Sequence, residues 1–169
     1  MMNRKVSIYK FIAYGFLAIA VFLVQTSAGL DLRVAGIRLD LLPAVVAAVA
    51  LFEGAGYGAL VGGVTGVLYD LAGTGIEGLY PIFFLVFGMM AGFFGERYFK
   101  KNFLAVLVMT GAALFLIGIF RGGVSLSLLG GVEFSAAVKT VAMETAAGMI
   151  GSPIVYLAVY GINGKLTIE

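Results

Sequence analysis

Apolar residues along this chain come in long blocks separated by short charged or glycine-rich stretches. They do not alternate as in a half-exposed strand, and they do not form the narrow stripe of a soluble surface helix. The first block runs from Phe11 to Val24 after Arg4, Lys5 and Lys10 and predicts a helix over residues 8–26. That is near the ~20 residues needed to cross a bilayer as a helix. A polar connection over 30–40 holds Asp31, Arg33, Arg38 and Asp40, and a shorter block over 41–53 follows, opened by Pro43. Proline fits there because the first helical turn has no use for its missing N–H. Further blocks at 56–71, 79–95, 103–120 and 140–160 complete a predicted set of six helices. The second would span only ~20 Å, so it either borrows residues from Ile37 onwards or sits where the bilayer is thinned. Segment 122–139, with two Gly-Gly pairs around Val-Ser-Leu-Ser-Leu-Leu, is expected as an external loop or short interfacial piece. Its alternation would suit a strand in water, but an unpaired strand has no place in lipid.

The third block carries the most regular feature. Gly54, Gly58, Gly62 and Gly66 recur every four residues, and Asp70 takes the next place. On a helix such positions drift slowly around one side and form a groove. Glycine inside a soluble helix costs roughly 0.5–1 kcal/mol relative to alanine. In lipid, close approach through small residues is itself the packing force. The ridge is therefore expected to be the packing centre of a small integral membrane protein.

Composition agrees. The chain of 169 residues is 62% hydrophobic and holds 25 glycines, with a mean hydropathy of +1.08, where ordinary soluble domains are ~45–50% apolar and ~7% glycine. The length suits one domain. The first block reads as a retained helix rather than a cleaved signal, although Ser27-Ala28-Gly29 would suit a cleavage site. With six spans and both ends inside, Arg4, Lys5, Lys10, Arg97, Lys100, Lys101 and Lys165 lie on the cytoplasmic side. Arg33, Arg38, Arg121 and Lys139 lie outside, together the 11 basic residues of the chain. That bias follows the positive-inside rule. Tyr9, Tyr57, Tyr98 and Tyr160 fall near the inner face and Tyr69 and Tyr80 near the outer, as an aromatic belt would.

Candidate chemistry is sparse. There is no Cys and no His, which removes disulfides, thiolate nucleophiles, the commonest general base and the commonest metal ligands. No cofactor or metal is expected. No glycine is followed by Lys and then Ser or Thr, so no phosphate-cradling loop of that type exists, and a net charge of +2 without a basic tract argues against nucleic acid. The chain is not expected to be an enzyme. Ionisable groups inside spans usually pair or face a polar cavity. Asp70, Arg121 and Glu144 all fall near the outer ends of their helices. They either converge into one polar cluster or reach the headgroups separately. Glu53, at the inner turn, is expected as a solvated helix end.

Asp40-Leu-Leu-Pro43 opening an apolar helix, then Glu53-Gly54, then Gly62-Gly-Val-Thr-Gly66-Val-Leu-Tyr-Asp70 with Gly73 and Gly78 beyond, resembles the rod-shape-determining MreD family. Pro153 followed by Ile-Val-Tyr-Leu resembles that family's last helix, and the length is similar throughout. The resemblance implies a six-helix bundle like the membrane subunits of ECF vitamin transporters. It implies a noncatalytic scaffold in the bacterial inner membrane that binds a single-span MreC-like protein. Through it, MreB filaments would be connected to the glycosyltransferase and transpeptidase of lateral wall synthesis. The fold likeness implies an alternative, a substrate-binding subunit of an ECF-type transporter with a pocket near Asp70 and Glu144.

Overall fold

A computed structural model describes residues 4–26, 33–34, 37–72, 78–98, 102–129 and 134–167. Asp31, Gly73, Lys100, Lys101 and the Ser27-Ala28-Gly29 site lie outside the described residues. Among the described residues there are six helices: α1 (Arg4–Thr26), α2 (Leu42–Glu53), α3 (Ala55–Leu71), α4 (Leu79–Tyr98), α5 (Phe103–Leu129) and α6 (Phe134–Thr167). A two-residue antiparallel ladder, β1 (Arg33–Val34) with β2 (Ile37–Arg38), precedes α2. Among the described residues, four helices are long and apolar enough to cross a membrane. Their outward faces remain apolar: Phe16 is 72% exposed, Ile82 68% and Ile154 68%. Soluble monomers rarely leave such large contiguous apolar faces open. The chain is a multi-pass helical membrane protein.

The packing centre is α2, not the glycine ridge. Every residue from Leu42 to Phe52 is buried, and α2 touches all five other helices. The reason lies in its sequence, Leu-Pro-Ala-Val-Val-Ala-Ala-Val-Ala-Leu-Phe, apolar all round. Such a helix is stable only where every side finds a partner. Alanines and valines keep it thin enough for a ring of helices to close on it. Pro43 sits in its first turn as expected, and the Leu41 carbonyl accepts the Ala44 and Val45 N–H groups at 3.1 and 3.2 Å.

One residue separates α2 from α3. Gly54, with φ 90° and ψ −175°, occupies a backbone region open essentially to glycine alone. It forms the corner by itself and does not belong to the ridge helix, which begins at Ala55. Gly58, Gly62 and Gly66 form the ridge proper, and α4 runs antiparallel against it. A methyl group on Gly58 would overlap the Gly88 carbonyl, one on Gly62 the Phe84 carbonyl, and one on Gly66 the Pro81 and Tyr80 backbone. Gly88 and Gly92 return the approach towards Gly58 and Ala55. The ridge is thus consumed inside the monomer. Tyr69 and Tyr80 belong to this seam as well, with ring centroids 4.9 Å apart and 6% and 4% exposed. They are core residues, not outer belt. Tyr9, Tyr98 and Tyr160 remain exposed.

Segment 122–139 is largely helical rather than a loop. Helix α5 continues to Leu129, and α6 begins at Phe134. The Gly-Gly pair at 122–123 does not break α5, because a continued helix satisfies every backbone group it contains, outweighing a glycine cost of ~1 kcal/mol each. Pro153 lies inside α6. Proline cannot donate to the carbonyl four residues back, Met149. The Ser152 hydroxyl does so instead, at 2.8 Å, which is how α6 passes through its proline.

Candidate functional site

Helix α2 is short: 12 residues rise ~18 Å, against a hydrocarbon core of ~30 Å. Charged groups at its two ends are therefore drawn into the bundle, and each end carries a polar site.

At the Asp40 end, the last turns of α1 and α3, the start of α2, the middle of α5 and Glu144 of α6 surround a half-open cavity of about 100 Å³. Phe22, Leu42, Leu114 and Ile117 form its apolar wall, and Gln25, Asp40, Arg121 and Glu144 reach it with polar groups. Gln25 ties α1 to the start of α2, its Nε2 donating to the Leu39 carbonyl at 2.6 Å and lying 3.4 Å from Asp40 Oδ1. Arg121 of α5 and Glu144 of α6 form an ion pair, reached because Gly118, one turn before Arg121, lets Val141 of α6 pack directly on the α5 backbone. Their side chains keep 41% and 29% exposure, so water screens the pair and its net value is ~0–1 kcal/mol.

The expected trio is therefore split. Arg121 and Glu144 meet, but Asp70 does not join them. Its Oδ2 accepts the Gly78 N–H at 2.6 Å, pinning the end of α3 to the entry of α4. Gly78 has φ 83°, so this entry also needs glycine. As the last member of the i+4 series, Asp70 closes the α3–α4 seam instead of lining the cavity. Asp40 and Pro43 are both placed at the cavity end of α2, with Asp40 on the cavity wall.

At the opposite end, Glu53 is not a solvated helix terminus. Its Oε1 accepts from Lys10 Nζ at 2.8 Å, Tyr14 OH at 2.8 Å and Asn163 Nδ2 at 2.6 Å. The Lys10 and Glu53 side chains are each 5% exposed. One carboxylate oxygen thus gathers α1, α2 and α6. The spacing of Lys10 and Tyr14 was the available signal. They are four residues apart, with Ala18 four further on, and all three are buried, so they share the face by which α1 docks. In the sequence alone Lys10 reads as one more cytoplasmic positive charge and Asn163 as the start of a cytoplasmic tail. Beside this network the rings of Phe52, Tyr156 and Tyr160 lie with centroids 5.6–6.1 Å apart, the two tyrosines stacked and Phe52 tilted or edge-on to them.

Among the described residues, no group of three potential metal ligands is assembled. What the Glu53 network does is bind helices, and what the Asp40 cavity does is offer charge of both signs around a small space. Compared with known protein families, with curated proteins and with solved structures, the chain matches none.

Proposed function

We propose that this chain is a noncatalytic membrane scaffold of the bacterial cell-elongation machinery, an MreD-like protein of the inner membrane with both ends cytoplasmic. The observation that carries the reading is the unit built from Pro43, Gly58, Gly62, Gly66 and Asp70. These residues, on which the resemblance rests, make one construction: a buried central helix, a corner at Gly54 and a glycine-sealed hairpin locked at Asp70. A bundle so tightly self-packed, with its chemistry spent on holding helices together, suits a rigid platform. Its partner-binding surface then lies on the outward faces of α1 and α4, where Phe16, Ile82, Met90 and Phe93 stand exposed. The partner in this reading is a single-span MreC-like protein, with MreB filaments and the wall-synthesis glycosyltransferase and transpeptidase connected through it.

A second reading, the substrate-binding subunit of an ECF-type transporter, is favoured by one observation, the cavity at the Asp40 end. Purification from native membranes in a gentle detergent, with mass spectrometry of proteins and small molecules, separates the two. Recovery of a single-span partner with wall-synthesis enzymes is the scaffold result. A bound vitamin and an ATPase module would overturn it.

A further inference from the structure

Among the described residues, the cavity at the Asp40 end is where charges of both signs surround open volume above an apolar floor. We propose that it binds a short zwitterion, an ammonium group joined through about two carbons to an oxyanion, as in the phosphoethanolamine unit.

Size sets the first limit. An engineered apolar cavity of about 150 Å³ takes one benzene ring, so a cavity of about 100 Å³ holds about four heavy atoms. An aminoethoxy fragment is of that size, and a vitamin is far larger. The cavity is half open, so the remainder of a ligand can project through its mouth. Arg121 is the group suited to the mouth: its side chain is 41% exposed. One of its terminal nitrogens serves Glu144, and its remaining N–H groups serve no other described residue. A guanidinium in that state presents a planar fork to phosphate or carboxylate oxygens.

The carboxylates of Glu144 and Asp40 line the same space. A ligand bearing only an oxyanion would meet both of them, and one bearing only an ammonium would meet Arg121. A zwitterion satisfies the two signs together. Phe22, Leu42, Leu114 and Ile117 leave its methylenes an apolar bed. Such a unit has two sources, the headgroup of an ethanolamine phospholipid in the adjoining leaflet or a free small zwitterion. The inference goes beyond the scaffold reading and does not depend on it.

The full chain is reconstituted in nanodiscs of phosphatidylglycerol with and without phosphatidylethanolamine, and lipid retained by the ejected protein is counted by native mass spectrometry. In parallel, O-phosphoethanolamine is titrated into detergent-purified protein while thermal unfolding is followed by circular dichroism. Two variants are carried through both arms: Arg121→Gln, and Ile117→Trp, which fills the cavity without touching a charge. Their helical content is checked first. The expected result is a preference of about tenfold for the zwitterionic headgroup over phosphatidylglycerol, the scale of one charge-assisted contact, falling to near parity in both variants. Retention of the lipid without a response to the soluble compound identifies a headgroup site, and the reverse identifies a solute site. Equal retention of both lipids with no thermal response, or a preference that survives in both folded variants, would overturn the proposal.

Discussion

Replacing Glu53 by alanine is expected to be the most damaging single polar substitution in the bundle. Lys10 Nζ and Glu53 Oε1 lie 2.8 Å apart with their side chains 5% exposed. At an effective dielectric near 20, their attraction is roughly 6 kcal/mol, most of which repays the cost of taking both ions out of water. The pair's net worth is therefore small, whereas the cost of breaking it is not. Glu53→Ala takes the buried carboxylate away from the Lys10 ammonium and removes the oxygen to which Tyr14 and Asn163 also donate. A loss of about 3–5 kcal/mol follows. Lys10→Met should cost less, because two neutral donors remain on the carboxylate. The double variant Lys10→Met with Glu53→Leu should recover most of the loss, since well-packed apolar replacements of buried ion pairs are often neutral or better. Stability is measured by unfolding detergent-solubilised protein with a denaturing detergent, followed by far-ultraviolet circular dichroism, because the chain holds no Trp. If Glu53→Ala unfolds within about 1 kcal/mol of the parent, the site is hydrated and the reasoning fails. Losses that simply add in the double variant would refute the coupling.

Three further outcomes follow from the same structure and assay. Gly62→Leu drives a side chain into the Phe84 backbone and should cost about 1–3 kcal/mol or more, whereas Gly15→Ala, with nothing within 4 Å, should be neutral or stabilising by up to about 1 kcal/mol. Equal effects would mean that α3 and α4 are not in backbone contact. Ser152→Ala should cost about 1–2 kcal/mol by orphaning the Met149 carbonyl, and adding Pro153→Ala, which restores an N–H to that carbonyl, should recover it. Reversing Arg121 and Glu144 together should restore whatever either reversal alone loses, while the same exchange between Arg121 and Asp70 should show no rescue, because Asp70 is engaged with Gly78.

The helices were readable because lipid imposes blocks of apolar length, and those at 41–53, 56–71 and 79–95 fall within a few residues of α2, α3 and α4. The i+4 glycines correctly announced close helix packing, but periodicity says nothing of which helix fills the groove. The identity of the centre was harder. A glycine series draws the eye, yet α2 is central because it is apolar on all sides, a property visible in 41–53 and read there only as shortness. The 122–139 segment was misjudged because Gly-Gly punctuates chains in water, where loops can hydrate their backbone. Of the polar trio, sequence placed Arg121 and Glu144 at one end, and the structure joins them across 23 positions. Nothing local could tell that Asp70 would turn to a backbone amide. Glu53 was missed because its three partners come from α1 and α6, up to 110 residues away. Only the fold brings them together.

The shortness of α2 has an electrical consequence. Between the carboxylates of Asp40 and Glu53 the bundle's axis is filled by 11 consecutive buried apolar residues, an apolar layer of ~17 Å. The surrounding lipid insulates over ~30 Å. One elementary charge crossing the full voltage exchanges ~2.3 kcal/mol per 100 mV, so even partial displacement of a charged group at either end would couple to the potential. The short centre of this protein sets Asp40 and the Glu53–Lys10 pair at two depths of that voltage, separated by little more than the length of α2.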